Sequence, residues 1–403
     1  MAPMVRPRRW NLNTIILCGM LLLVGALVKV NLSIVEQSST FEAKANTVAR
    51  LRREEHPEVK KIKMEDRRII VLIANYRDTY RCAETLNSLY TQAARPDLLA
   101  VSIFDQIYEE EGEGRCYDAY CDKVGEENCR RNQLRRNDTI NALYATGPTY
   151  ARYQTEKGID LSIDTFSLAI DSHIIFVPKW DTDLIEQWDS IENEKAVITV
   201  YPRSTDNTPP NMDNTLDTTA ILMCTGKIET EDADSMISYD AVQQIPVPEK
   251  PRLMSQFAGG FNFGTAVGAL EVRNDPYTPY LFHGEEYSKA ARLFTHGYDM
   301  YVPKRQVVYH WYEKRNVVWE RDWGERYVIQ QNAKRRIRTV LGLPTTSDDY
   351  DKTDIEKFAL GTKRTFAQFQ EFSGINPLAA YYKDNYAQFN NCRDLEYVPY
   401  IDQ

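Results

Sequence analysis

Apolar residues run unbroken from Ile69 to Ala74 and then give way to Asn75, Tyr76, Arg77 and Asp78. A continuous apolar run of strand length ended by a polar turn predicts a strand buried on both faces. The helix expected next carries Cys82, Leu86, Leu89 and Ala93 on one apolar face, where Cys82 reads as a buried free thiol. AVSIFDQI at 100–107, FSLAIDSHIIF at 166–176 and AVITVYP at 196–202 predict further strands. Around residue 290 the period changes: Tyr287, Ala290, Ala291 and Phe294 recur at helical spacing, acids fill the first turn, and Gly297 supplies a stop. VVYHWY then reads as a short strand with His310 at its end.

Strands alternating with helices predict an α/β layered domain, in which ligands bind beyond the carboxyl ends of the strands. Polar residues just past a strand are therefore candidates: Asn75 to Asp78, Asp105, and Asp171, Ser172 and His173. Residues 108–138, acidic then basic, read as an insertion outside the core, and residues 203–250, rich in Asp, Thr, Asn and Pro, read as long surface loops.

The first 65 residues follow another pattern. Arg6, Arg8 and Arg9 precede an apolar run over 12–30, about the minimum length that spans a bilayer as a helix. Basic residues before the span predict a cytosolic tail at 1–11, a signal anchor at 12–30 and everything later across the membrane. Val24-Gly25-Ala26 also fits a cleaved signal peptide. The polar, charge-mixed residues 31–65 read as a stem, leaving 66–403 as the folded domain.

Of the 403 residues, 43% are hydrophobic and 27% charged, a globular profile. The formal net charge of −9 argues against a nucleic-acid partner, because no overall basic field is present. Six cysteines follow the apolar span, an even count that permits disulfides in an oxidising lumen. The cluster CYDAYCDKVGEENC lacks the paired CxxC of a zinc knuckle and reads as a stapled loop.

Asp171 and His173 lie two apart, so at a strand end they point the same way, and His310 is a candidate third ligand. An oxygen and two nitrogens with open positions suit Mn²⁺ or Zn²⁺ better than Ca²⁺. The spacing alone fits equally a turn-capping acid and a hydrogen-bonded core histidine. Glu285 is accounted for by the helix dipole and by an i,i+4 pair with Lys289. Glu286 differs, since Ala290 four residues on turns its carboxylate toward the apolar stripe, where a carboxylate needs a partner.

IANYRD, IFDQ, GPTYAR, IDSHIIFVPKWD, YLFHGEEYSKAARLFTHGYD, VYHWY and LGTKRTFAQFQEFSGIN, in this order, resemble glycosyltransferase family 60, the polypeptide α-N-acetylglucosaminyltransferases. The resemblance covers residues 66–380 and extends more distantly to the mucin-type polypeptide N-acetylgalactosaminyltransferases. It implies a GT-A fold, a nucleotide-sugar-binding α/β domain with a central mixed sheet. It also implies a metal at Asp171, His173 and His310, and uridine held near Tyr76, Arg77 and Asp105. Ser172 would sit with the donor, Arg152 matches a basic residue ahead of the metal motif, and Glu285 and Glu286 line the sugar and acceptor site. Lys363 and Arg364 would close on the diphosphate. Residues 108–138 and 203–250 depart from the family pattern.

The expected function is transfer of GlcNAc from UDP-GlcNAc to Ser or Thr hydroxyls of secretory proteins, with retention and with Mn²⁺, by a Golgi type II membrane protein. Alternatives are a related transferase using another UDP-sugar or a glycan acceptor, and a non-catalytic tethered binding protein.

Overall fold

Ile69–Tyr76 (β1) owes its unbroken apolar run to its neighbours, for parallel strands flank it on both sides. The computed structural model describes residues 66–313, 323–384 and 386–401. The tail, apolar span and stem expected at 1–65 lie outside these residues. Among the described residues no helix is long and apolar enough to cross a membrane.

After β1 come α1 (Thr79–Gln92), β2 (Leu99–Ile107), α2 (Cys116–Val124), β3 (Leu134–Asn141), α3 (Pro148–Glu156), β4 (Phe166–Asp171), α4 (Trp180–Ile191) and β5 (Ala196–Thr199). The chain continues through β6 (Arg252–Met254), β7 (Phe261–Thr265), α5 (Ala266–Glu271), α6 (Glu285–Thr295), β8 (Asp299–Val302), α7 (Trp323–Val340) and α8 (Phe366–Ser373). The eight strands form one sheet in the order β6-β8-β5-β7-β4-β1-β2-β3. It is mixed, as expected: β4, β1, β2 and β3 run parallel, while β7 is antiparallel to both β4 and β5. The chain steps outward from β1 to β3 and returns to place β4 on the other side of β1, so strand order reverses there and a crevice opens beyond the strand ends.

Residues 108–138 are not an insertion outside the core. They hold α2 and most of β3, the edge strand of the main sheet, and Cys116, Tyr117, Tyr120 and Cys121 are buried against α1. Helical spacing of these four residues is present in the sequence, but the surrounding charge hides it. Cys82 is not a free thiol. It bonds Cys116, so the apolar face of α1 is stapled to α2, while Cys121 joins Cys129 within the local cluster.

Residues 203–250 are likewise more than surface loops. Thr219–Met223 pairs with Val242–Pro246, and Ala220 to Cys224 are buried in the main core. Thr225–Ile228 is the middle strand of a small sheet between Ile237–Tyr239 and Phe389–Asn390, and Cys224–Cys392 ties this sheet to the C-terminal segment. A third small sheet joins Ile174–Phe176, Val308–His310 and Arg203–Ser204.

Candidate active site

β4 ends at Asp171, and the short strand that follows carries the chain back as Ile174–Phe176. That strand pairs antiparallel with Val308–His310, placing His310 opposite Ile174, and Trp311 N–H donates to the His173 carbonyl at 3.1 Å. Pairing of these distant segments brings His310 to Asp171 and His173. One ligand atom from each of the three lies within 4.8 Å of the others. His310 Nε2 is 3.5 Å from Asp171 Oδ2, and the two imidazole centroids are 4.5 Å apart.

His173 Nδ1 sits 3.3 Å from Asp78 Oδ2, and Asp78 is in turn held by Arg81 at 2.8 Å. A carboxylate behind one ring nitrogen orients an imidazole so that the other nitrogen is available to a metal. Thr85 of α1 fixes the turn itself: its hydroxyl donates to the Ser172 carbonyl and accepts from Ile174 N–H. Burial pushes the Asp171 carboxyl up, but the hydrogen bond from His310 and the charges of Arg152, His173 and His310 outweigh it and hold the carboxyl below its ordinary range. An anionic oxygen beside two imidazoles is a donor set that fits a divalent transition metal.

Arg152, on α3, reaches Glu285 at 2.8 Å and Asp171 at 3.4 Å, linking the cluster to the first turn of α6. The i,i+4 pair expected between Glu285 and Lys289 is absent. Glu285 turns to Arg152, while Lys289 donates to the Val272 carbonyl and faces Glu156 at 4.0 Å. Glu286 does face inward and is fully engaged: Tyr201 Oη donates to one oxygen and Gly259 N–H to the other, the latter at 2.7 Å. Burial, then the neighbouring Glu285 charge, raises the Glu286 carboxyl to about 7 against these two hydrogen bonds. Glu285 Oε2 is buried and has no partner among the described residues. Gly259 and Gly260 permit this close packing, since a side chain at the first would meet the Arg152 guanidinium and at the second the Asp171 carboxylate.

These groups border a cavity of about 540 Å³ at the strand ends. That volume lies within the range of small-molecule sites. Its lining includes Ala74, Tyr76, Gln106 and Pro148, and also Tyr201, Ile237, Ser238, Tyr239 and His283.

A family model described as Glycosyltransferase (GlcNAc) matches residues 115–379, more than half of the chain. The chain belongs to this glycosyltransferase family. No curated protein sequence matches it. Among solved structures it is similar to GalNAc-T7 with UDP, GalNAc and Mn²⁺, at 13% identity and a TM-score of 0.48. That match covers 77% of this chain and 57% of that one, so the chain spans little more than half the length of this neighbour. S. aureus TarS 1–349 is similar at 14% identity and a TM-score of 0.39, covering 72% of this chain and 70% of that one. Neither likeness assigns a role to any residue here.

Within this glycosyltransferase domain, Tyr76, Arg152, Asp171, Ser172, His173, Glu285, Glu286 and His310 all line the cavity. Four expected residues do not. Asp105 and Gln106 point to opposite faces of β2: Gln106 reaches the cavity, whereas Asp105 is wholly buried and accepts from Asn75 Nδ2 and Cys116 N–H. Arg77 turns away to Glu113 and Glu111, at 2.7 and 2.5 Å, and stacks on Tyr108. Arg364 is buried against Asp299 at 2.9 Å, donates to the Val398 carbonyl and lies among Phe294, Tyr397 and Tyr400. Lys363 lies over the Tyr400 ring, so the two form part of the anchor for the C-terminal segment and do not reach the cavity.

Sequence reasoning missed Gln106, Tyr201, Tyr239, Tyr280, Tyr312 and Arg326, which also line the cavity. The adjacent glycines of AGGFNFG were a usable signal for close approach. Tyr280 held at φ +58 carried none.

Proposed function

We propose that the chain transfers GlcNAc from UDP-GlcNAc to Ser or Thr hydroxyls of secretory polypeptides, with retention at the anomeric carbon, through a GT-A domain of glycosyltransferase family 60. In this reading it acts at the Golgi membrane as a type II protein. The observation that carries the proposal is the convergence of Asp171, His173 and His310 on the cavity that also holds Arg152 and Glu285. The matched family, GlcNAc glycosyltransferases, supports the choice of sugar.

Asp171, His173 and His310 would hold Mn²⁺, which when bound neutralises charge on a leaving diphosphate. Arg152 keeps Asp171 and Glu285 in fixed relation, so ligand geometry and sugar-site geometry are set by one guanidinium. Glu285 Oε2, buried without a partner, accepts a substrate hydroxyl. Glu286 has both oxygens occupied and serves to position Tyr201 and the Gly259 backbone. Tyr76 and Gln106 line the cavity and would border the nucleoside. In the reaction the bond from the anomeric carbon to the phosphate oxygen breaks, the acceptor oxygen bonds that carbon, and the acceptor proton leaves with UDP.

The test is UDP release by the full chain across a panel of UDP-sugars with Mn²⁺ and Thr-containing peptides, with products identified by mass and linkage. UDP-GlcNAc is expected to be the preferred donor. Release that Asp171→Ala sustains at the parent rate would overturn the reading.

A further inference from the structure

A nucleotide-sugar donor brings a diphosphate into the cavity, and the bond that breaks leaves further negative charge on it. The cavity is itself acidic, for the carboxyl groups of Asp171, Glu285 and Glu286 all line it. Among the described residues, the lysines and arginines that face this space are Arg152 and Arg326. Arg152 is committed: one terminal nitrogen lies 2.8 Å from Glu285 and the other 3.4 Å from Asp171. Its charge is already countered before any donor arrives.

Arg326 stands at the start of α7, a helix anchored in the core by Ala333 and Ile337. Gln330 follows one turn later on the same face, and both side chains meet Tyr280. Gln330 Nε2 donates to the Tyr280 carbonyl at 2.7 Å, and the Arg326 guanidinium lies over the Tyr280 ring, 5.2 Å from its centre. Tyr280 is held in turn, with φ +58 and its N–H on the Thr146 carbonyl at 2.5 Å. A non-glycine residue keeps such a backbone only where its surroundings impose it. The ring under Arg326 is therefore a fixed support, and it too lines the cavity.

The charge of Arg326 also reaches the end of β1. Burial, then Tyr108, raises the Tyr76 hydroxyl, and the charges of Arg77 and Arg326 act against that rise. Arg77 turns away to Glu113 and Glu111, so Arg326 is the cation that Tyr76 shares with the cavity.

We propose that Arg326 grips the diphosphate of the sugar donor, the task expected of Lys363 and Arg364. The inference rests on the transferase reading above and names the side chain that meets the charge leaving with the nucleotide. A guanidinium stays protonated at any working pH and presents paired N–H groups that match phosphate oxygens. Stacked on Tyr280, it keeps its plane while the phosphate oxygens arrive.

The experiment measures binding of UDP and of uridine to the full chain with Mn²⁺, by calorimetry, for the parent, Arg326→Met and Arg326→Lys. Arg326→Met is expected to weaken UDP about thirtyfold, the worth of a charge-assisted hydrogen bond, and to leave uridine within about twofold. Arg326→Lys should fall between parent and Arg326→Met, since a point charge attracts phosphate without the fork. UDP affinity unchanged in Arg326→Met would overturn the proposal. Equal weakening of UDP and uridine would also overturn it, by assigning Arg326 to the nucleoside or to the fold. A parent chain that binds no UDP with Mn²⁺ would instead sink the transferase reading, and this inference with it.

Discussion

The floor of the cavity and its far wall are made differently. The floor comes from the ends of β1, β2 and β4, successive strands of one parallel unit, each delivering its residue where it stops: Tyr76, Gln106, and Asp171 with His173. The wall comes from Tyr201, Ile237–Tyr239 and the start of α6, held by a disulfide that spans 168 residues of sequence. Floor residues are placed by neighbouring ladders that any parallel sheet supplies. Wall residues depend on long-range closure. On the proposed reading the difference separates two functions: donor chemistry belongs to the floor, fixed by the sheet, and acceptor choice to the wall.

Substitutions can break or sharpen this division. Asp171→Ala, at the floor, should lower Mn²⁺-dependent UDP release by about three orders of magnitude, since a bound cation supplies several kcal/mol to a leaving group; rates with and without Mn²⁺ measure it. Cys392→Ser, behind the wall, should cost about 5 kcal/mol of stability by loop-closure entropy, read from urea midpoints. Transfer to peptide should fall more than donor hydrolysis. Equal loss of both would erase the distinction between floor and wall.

Asp105 tests the floor by pH. Burial raises its carboxyl from 3.8 to about 6, against hydrogen bonds from Asn75 and Cys116. The folded chain then keeps a proton that the unfolded chain releases between those values, so its contribution to stability is full below pH 3.8 and declines as pH rises to about 6. Asp105→Asn should remove this slope and gain up to about 3 kcal/mol relative to the parent across the window, measured by denaturant unfolding at several pH values. Arg152→Lys should lower kcat about tenfold, because a point charge does not bridge Asp171 and Glu285 as a fork does. Lys363→Ala should leave activity within about twofold, since Lys363 lies over Tyr400 away from the cavity.

Sequence made the strands and the chemistry at their ends legible, because apolar runs and polar stops are local signals. Asp171, His173 and His310 were named from position after a strand, and the fold brought them together. The misses are tertiary. Nothing local distinguishes Arg364 from a phosphate-binding arginine, but the opening residue of β8, Asp299, lies beneath it and takes its charge. Cys82 was placed on the correct face of α1, and its bond to Cys116 depended on a helix hidden among charges. The expected Glu285–Lys289 pair is worth a few tenths of a kcal/mol at most, too little to compete with the buried partners Arg152 and Glu156.

The ladder between Ile174–Phe176 and Val308–His310 has a consequence for how the protein can be studied. While that ladder is open, the third donor is far from the other two, so a divalent ion held by all three, as proposed, would favour only chains in which the ladder has closed. Such preference appears as a rise in melting temperature with ion dose, worth about 2.7 kcal/mol at a hundredfold excess over the dissociation constant. Titration of Mn²⁺ during thermal melts thus gauges strand closure in any variant, with no sugar donor present.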